Sequence, residues 1–274
     1  MADHFSAFSF VDRIHDYVPG ERARATFAIP AHLPAFPSCL IAEAVGQLAS
    51  WIAMAHIEFR GRPVAALALE TRFLRDAQPG ETLELAVELE SCDDDAVAYH
   101  GWADIDGARA LDLIDCLGPM LPLTEFDSPA ALRERFGVLC SSGAHEGRFP
   151  GIADFRVESG MLDRGRSATA TLYVPDTAPF FRDHFPRRPV FPATLLLNEM
   201  IQLALKAEQG ATNGHLLVPV RMTNVKVRAF TPPGQVLLLA ADLESPNGGM
   251  IVASLTARAH GRMVATARVD LADR

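Results

Sequence analysis

Two stretches of the chain carry apolar side chains on most faces of a predicted helix. They run from Leu40 to Met54 and from Leu195 to Ala207, and each follows a proline, Pro37 or Pro192. Proline is favoured in the first turn of a helix, where its missing N–H is not needed. A helix that is apolar on most faces is buried in a core. The pattern therefore predicts two buried helices that begin near these prolines.

Segments of alternating apolar and polar residues follow each helix, as is typical of half-buried strands. Turn sequences separate them: Gln78-Pro79-Gly80, Asp106-Gly107, Pro232-Pro233-Gly234 and Asn247-Gly248-Gly249. The predicted strands are Thr82–Glu90, Ala96–Asp104, Val236–Leu243, Ile251–His260 and Arg262–Val269. The turns favour antiparallel pairing of neighbouring strands.

The two helices belong to an internal repeat. Phe36-Pro37-SCLIAEAVGQLA matches Phe191-Pro192-ATLLLNEMIQLA at an offset of 155 residues, and Leu89-Glu90-Ser91 matches Leu243-Glu244-Ser245 at an offset of 154. One buried helix with several antiparallel strands in each copy predicts an α+β double hotdog, two fused hotdog domains. We expect an N-terminal domain at 1–124, a connector at 125–150 with a short helix near Pro129–Phe136, and a C-terminal domain at 151–274.

Length and composition exclude several classes of protein. The chain has 274 residues, 49% hydrophobic and 22% charged, with a net charge of −9 and four scattered cysteines. No apolar run approaches the roughly 20 residues of a membrane span, and the start MADHFSAFSF lacks the pattern of a signal peptide. Excess negative charge disfavours a nucleic-acid partner. We expect a cytoplasmic protein with reduced thiols, no membrane contact and no metal site.

The segment FFRDHFPRRPVFPATLLLNEMIQLA, around His184, resembles the signature of FabZ/FabA-type 3-hydroxyacyl-[acyl carrier protein] dehydratases. The resemblance implies that hotdog domains pair and that each active site takes a histidine from one domain and a carboxylate from the other. In the family the acidic residue follows the loop histidine by fourteen positions, which gives Asn198 here. The repeat places Glu43 at the position equivalent to Asn198. The resemblance therefore implies one composite site, formed by His184 and Glu43.

Residue roles follow from the same resemblance. His184 is the base for the C2 proton, Glu43 protonates or positions the leaving hydroxyl, and Gln47, one helical turn later, orients Glu43. The N–H of Ala193, at a helix start, holds the thioester carbonyl. Phe185 and Pro192 are further substrate-binding residues. For Glu43 to act as an acid near neutral pH its pKa must be raised, and we expect burial to do so.

The equivalent site on the other side of the repeat is predicted to be inactive. The loop before the first helix, AHLPAF, is ten residues shorter than its counterpart DTAPFFRDHFPRRPVF, and its His32 is either a remnant or a turn residue. Asn198 and Gln202 are interpreted as former site residues that hydrogen-bond at the interface of the two copies. Glu199, about 100° away on the helix, is solvated or paired. Asp183, where the family has glycine, is expected to pair with an arginine.

Arginines at 182, 187 and 188 surround His184 and form a local basic patch in an acidic protein. Since acyl carrier proteins are strongly acidic, Arg182, Arg187 and Arg188, with Lys226 and Arg228, form either a docking site or a solvated loop. The substrate is expected on acyl carrier protein or coenzyme A, and no cofactor is required. Other hotdog reactions, thioester hydrolysis or double-bond isomerisation, and a non-catalytic acyl-binding subunit are alternatives. The chain is expected to form an intramolecular pseudo-dimer, with further homo-oligomerisation left open.

Overall fold

The computed structural model describes residues 5–209, 217–244 and 250–273. The turn predicted at Asn247-Gly248-Gly249 lies outside these residues. Within them the helices are α1 (Ser38–His56), α2 (Pro129–Leu139) and α3 (Ala193–Glu208). The strands are β1 (Arg13–Val18), β2 (Arg22–Ala28), β3 (Gly61–Pro63), β4 (Leu67–Phe73), β5 (Thr82–Cys92), β6 (Ala96–Ile105), β7 (Ala108–Pro122), β8 (Arg156–Asp163), β9 (Ser167–Tyr173), β10 (Val218–Val227), β11 (Val236–Leu243), β12 (Ile251–Ala259) and β13 (Arg262–Ala272).

The described strands form one antiparallel sheet whose order reads the same in both halves. The order is β1-β2-β5-β6-β7-β4 in the first half, continued by β10-β13-β12-β11-β9-β8 in the second, with β3 paired to β7. Each strand of the first half except β3 thus has a counterpart at the mirrored position of the second. The predicted α+β double hotdog is confirmed, because both halves share one topology and each wraps its sheet around one long helix.

The two halves join through β4 and β10, where Thr71 lies opposite Met222 and Ala68 opposite Val225. Thr71, Met222 and Val225 are buried. Sequence analysis predicted five of the described strands, β5, β6, β11, β12 and β13, and did not predict β4 or β10. Their pairing makes the sheet continuous and brings the two helices to the same side of the junction.

Helix α1 packs on β5 and β6, helix α3 packs on β9 and β11, and the two helices contact each other. Apolar residues on several faces of α1, among them Leu40, Val45 and Ile52, are fully buried. This helix is long and apolar enough to cross a membrane, but 61% of its apolar window is buried inside the protein. Its hydropathy is therefore accounted for by its place in the core.

The segment predicted as the connector contains a helix that is longer than expected. Helix α2 extends to Leu139, and its N-cap is Ser128, whose side chain accepts a hydrogen bond from the Ala131 N–H at 3.4 Å. Beyond the helix, Phe149 is buried against the rings of Phe10 and Phe36. The segment between β7 and β8 therefore packs against the first half through α2 and Phe149.

Candidate active site

One cavity is lined by side chains from both halves of the repeat. Glu43 and Gln47 come from α1, whereas His184, Ala193 and Thr194 come from the second half. The cavity measures about 210 Å³, roughly fifteen times the space that one water molecule needs. Apolar residues form most of the remaining wall, including Trp51, Met54, Val97, Leu113 and Leu117. A site of this size and lining suits an acyl chain with a polar head near the carboxyl and imidazole groups.

His184 lies in the long loop of the second half, directly after a 3-10 turn at Pro179–Arg182. Its Nδ1 lies 2.8 Å from the carbonyl oxygen of Val190. Because a carbonyl oxygen only accepts hydrogen bonds, Nδ1 carries the proton of the neutral ring and Nε2 has a free lone pair. Burial lowers the pKa of His184 to about 3, the bond to Val190 opposes this, and the charge of Arg62 adds to it. The imidazole is therefore neutral across the physiological range.

Glu43 lies on α1 and receives hydrogen bonds from both halves. The Nε2 of Gln47 donates to Oε1 at 2.9 Å, and the hydroxyl of Thr194 donates to Oε2 at 2.8 Å. Burial raises the pKa of Glu43, while these two hydrogen bonds and the charge of Arg62 oppose the rise. The expected contact with Gln47 is present, and the pKa is raised by burial as predicted.

Arg62, on β3, places a guanidinium in the wall of the same cavity. It is bonded to the carboxylate of Asp127 at 3.2 Å, with side chains only 16% and 3% exposed, respectively. Its guanidinium lies 4.4 Å from the centre of the Phe185 ring, next to His184. The positive charge lowers the pKa values of both His184 and Glu43. Arg62 therefore favours a neutral imidazole and opposes protonation of the carboxyl group.

Helix α3 begins at Ala193, and its N-cap residue, Pro192, has no side chain that can accept a hydrogen bond from the first turn. The N–H groups of that turn therefore keep donor capacity at the cavity wall. Pro192 is buried but does not line the cavity, unlike Ala193 and Phe185. Phe185 has a φ of 63°, a left-handed conformation that costs a non-glycine residue about 1 kcal/mol. Its ring packs 5.0 Å from that of Phe126, and this packing helps to hold the strained loop.

The three arginines of the basic patch lie outside the cavity and are exposed. Arg187 donates to the carbonyl oxygen of Thr124 at 2.9 Å, and Arg188 pairs with Glu125 at 3.2 Å. These contacts hold the His184 loop against the end of the first half. Arg182 forms no ion pair within the described part of the chain. Arg187 and Arg188 therefore have a structural role in this loop.

The region around Asn198 differs from the site at Glu43. The side chain of Asn198 donates to Glu199, the next residue of α3, at 3.2 Å, and burial raises the pKa of Glu199. Glu199 is thus paired. Gln202 is exposed to solvent, so the prediction that it hydrogen-bonds at the interface of the two copies is wrong. Its counterpart Gln47, in contrast, is bonded to Phe8 and Phe10 of the N-terminal segment. His32 is exposed on the short loop.

Sequence analysis missed two polar residues of the site. Thr194 resembles any early helical threonine, and its contact with Glu43 spans 151 residues of chain. Its position next to Ala193 was the one available signal. Arg62 looks like a surface residue of a short strand, and nothing in its local sequence indicates a buried partner. The roles of Thr194 and Arg62 in the site can be recognised only in the folded protein, where the two halves pack together.

Comparisons with known proteins agree with this architecture. Residues 151–268 match the model of the FabA-like domain. The 3-hydroxyacyl-[acyl-carrier-protein] dehydratase FabZ of Streptococcus thermophilus is 29% identical over 106 residues, which cover 38% of this chain and 75% of that protein.

Among solved structures, the dehydratase domain of PpsC from Mycobacterium tuberculosis, in complex with C12:1-CoA, has a TM-score of 0.52 and 15% identity. The alignment covers 97% of this chain and 99% of that one. The 12:0-ACP thioesterase from Umbellularia californica has a TM-score of 0.56 and 10% identity, with 92% and 94% covered. At these identities the two structures establish the fold. The chain is therefore a double hotdog protein whose residues 151–268 match the FabA-like domain, and it is similar in sequence to the FabZ dehydratases.

Proposed function

We propose that this protein removes water from a 3-hydroxyacyl thioester to give a 2-enoyl thioester at a single composite site. The observation that carries the proposal is the shared cavity, whose lining includes both His184 of one half and Glu43 of the other. A neutral imidazole and a carboxyl group with a raised pKa form the base and acid pair that this elimination needs. The FabZ relatives, named as 3-hydroxyacyl-[acyl-carrier-protein] dehydratases, support the same reaction.

In the proposed mechanism, Nε2 of His184 takes the proton from C2 while the N–H of Ala193 stabilises the enolate-like oxygen of the thioester. The C3–O bond then breaks, and Glu43 gives its proton to the departing hydroxyl, which leaves as water. The step ends with an imidazolium and a carboxylate in one cavity. These opposite charges stabilise each other, which offsets the low basicity of His184 in the empty site. Return of the proton from His184 to Glu43 through water restores the starting state.

The hydroxyl of Thr194 fits both states of Glu43. A hydroxyl can donate a hydrogen bond to a carboxylate and can accept one from a protonated carboxyl group. Thr194 therefore keeps a partner for Oε2 before and after proton transfer. Gln47 holds the other oxygen in both states.

The acyl group is carried by acyl carrier protein or coenzyme A in this proposal, with Arg182, Arg187 and Arg188 available to an acidic carrier. We place the reaction in fatty acid or polyketide-type synthesis in the cytoplasm. The two domains at 1–124 and 151–274 would act as one pseudo-dimer. No step of the mechanism calls on a cofactor.

Thioester hydrolysis is the second candidate, since the Umbellularia californica structure with the same architecture is a thioesterase. Glu43 could aim a water molecule at the thioester carbon in such a reaction. The two reactions differ in their products: dehydration leaves the thioester intact and removes water, whereas hydrolysis releases a free thiol.

The test incubates purified protein with 3-hydroxyacyl and 2-enoyl thioesters of varied chain length, on coenzyme A and on acyl carrier protein. Mass spectrometry records gain or loss of water, and a thiol reagent records hydrolysis. We expect interconversion of hydroxyacyl and enoyl thioesters without thiol release, and its loss in His184→Ala and Glu43→Gln. Thiol release would favour the thioesterase, migration of the double bond an isomerase, and tight binding without turnover an acyl-binding subunit.

A further inference from the structure

The carboxylate of Asp183, next to His184, is only 5% exposed and accepts hydrogen bonds from the N-terminal segment. Its Oδ1 accepts from the Phe5 N–H at 2.8 Å, and its Oδ2 accepts from the N–H groups of Ala7 at 2.6 Å and Phe8 at 2.9 Å. The Ser9 hydroxyl adds a contact at 3.3 Å. The expected ion pair with an arginine is wrong for the described residues. The backbone N–H groups of Phe5, Ala7 and Phe8 bind this carboxylate instead, in the manner of an anion nest.

The segment of residues 5–9, called here the N-terminal strap, is also fastened to the first half. The carbonyl oxygen of Phe8 accepts from the Nε2 of Gln47 at 3.1 Å, and the N–H of Phe10 donates to the Oε1 of Gln47 at 2.9 Å. Gln47 is the same residue that donates to Glu43. The strap therefore connects the loop that carries His184 to the helix that carries Glu43.

The strap also forms part of the cavity wall. Phe5, Phe8 and Ser9 line the cavity. The ring of Phe8 meets the His184 imidazole edge-on, with centroids 5.5 Å apart, and the ring of Phe5 lies 6.1 Å from that of Trp51. If the strap were released, the imidazole would lose a packing partner and Trp51 would gain exposure to solvent.

We propose that Asp183 is a positioning residue, which fastens the N-terminal strap over the cavity and thereby holds His184 in its orientation toward the substrate. This inference rests on the proposed function for its kinetic consequence, but the fastening itself is independent of any reaction. Asn at 183 has the same shape, yet its NH₂ group donates and would oppose at least one backbone N–H of the strap. Asp183→Asn should therefore release the strap with little change of volume.

The experiment compares Asp183→Asn with Asp270→Asn, a control in which another buried carboxylate, bonded to Arg221 at 2.6 Å, is changed in the same way. Both are made in a Trp102→Phe background, which leaves Trp51 as the single tryptophan. Acrylamide quenching of Trp51 and hydrogen exchange of residues 5–10 measure the strap. Melting temperature checks that each variant is folded.

We expect Asp183→Asn to raise both quenching and exchange and to lower kcat by about tenfold or more, because small misplacements of a reacting group cost rate steeply. KM should change less, and the control should change neither strap measurement. Unchanged quenching and exchange in Asp183→Asn would overturn the fastening. An opened strap with unchanged kcat would overturn the positioning role.

A second variant separates fastening from contact and covers a poorly folding Asp183→Asn. Phe8→Leu keeps every backbone hydrogen bond of the strap but removes the ring against His184. We expect exchange of residues 5–10 to stay at the wild-type level and kcat to fall, whereas an unchanged kcat would count against positioning through this contact. If the wild-type protein fails to dehydrate any thioester, the proposed function fails, while quenching and exchange still decide whether Asp183 fastens the strap.

Discussion

The Thr194 hydroxyl donates a hydrogen bond to the Glu43 carboxyl group at 2.8 Å across the boundary between the two halves of the chain. Thr194 lies in the first turn of α3, directly after Ala193. The contact therefore places the carboxyl group of one half at the helix start of the other, where the proposed substrate carbonyl would bind. The geometry makes the two halves dependent on each other for a complete site.

Removal of this hydroxyl should alter the ionisation of Glu43. Thr194→Val keeps the shape of the side chain but removes a donor that favours the carboxylate, so the pKa of Glu43 should rise further. We expect the alkaline limb of kcat/KM to move to higher pH and kcat to fall by about tenfold, less than the roughly 10²–10⁴-fold that loss of the general acid itself would cost. Thr194→Ser, which keeps the hydroxyl, should restore both. Equal pH profiles for the two variants would contradict the role of this bond.

The pH dependence of the wild-type reaction follows from the two pKa shifts. Turnover needs neutral His184 and protonated Glu43. Because the pKa of His184 lies at about 3, we expect no acid limb near 6.5, the usual value for histidine. Because the pKa of Glu43 is raised above 4.5, kcat/KM should fall only as pH rises through that raised value. An acid limb near 6.5 in the pH profile of kcat/KM would show that His184 is not held neutral.

The same shift predicts a stability difference in acid. Between pH 6.5 and about 3 the unfolded chain protonates His184 whereas the folded chain does not. Protonation therefore favours unfolding, and this residue's contribution is complete above pH 6.5 and is lost as pH falls toward 3. The slope is at most about 1.4 kcal/mol per pH unit. Urea unfolding at several pH values should show a shallower dependence in His184→Asn than in the wild type; parallel curves would contradict the shift.

Arg62 should affect both stability and ionisation. Arg62→Met leaves the charge of Asp127 buried without this partner, which should lower the free energy of unfolding by about 3–5 kcal/mol. Loss of the positive charge should also raise the pKa of Glu43 and move the alkaline limb upward. The control is Arg60→Met, which removes a surface pair with Asp94 and should cost about 1 kcal/mol or less.

Urea unfolding measures the stability effect of Arg62, and the pH profile of kcat/KM measures the ionisation effect. Asp127→Leu in the Arg62→Met background should recover part of the lost stability, because the buried carboxylate that had paired with Arg62 is then removed. Equal unfolding free energies for the Arg62 and Arg60 variants would show that the buried pair contributes no more than the surface one.

The asymmetry of the repeat can be tested by exchanging its side chains. Asn198→Ala should keep nearly all activity, because this side chain bonds within its own helix to Glu199. The double variant Glu43→Asn/Asn198→Glu should stay inactive, since the short loop of the first half leaves His32 exposed rather than in a cavity wall. Restored thioester turnover in the double variant would show that a second functional site exists.

Most of the fold was predictable because its determinants are local. The starts of α1 and α3 follow from Pro37 and Pro192, and the strands after each helix follow from alternation and turn residues. Eight of the described strands were not predicted, among them β4 and β10, which pair with each other across the junction of the halves. The alternation of apolar and polar residues within one segment does not predict which distant segment it pairs with.

The sequence alone determined that the chain is a repeat and that its copies are unequal, because residue identity and spacing carry this information, and the resemblance to the dehydratases added His184 and Glu43 as the candidate pair. Only the tertiary structure decided which groups surround that pair. Thr194 meets Glu43 across 151 residues, and Asp183 meets Phe5 across 178. The local sequence around these side chains gives no indication of the contacts. The energy of a buried hydrogen bond depends on its burial and on its partner, and both are set only when the two halves pack together.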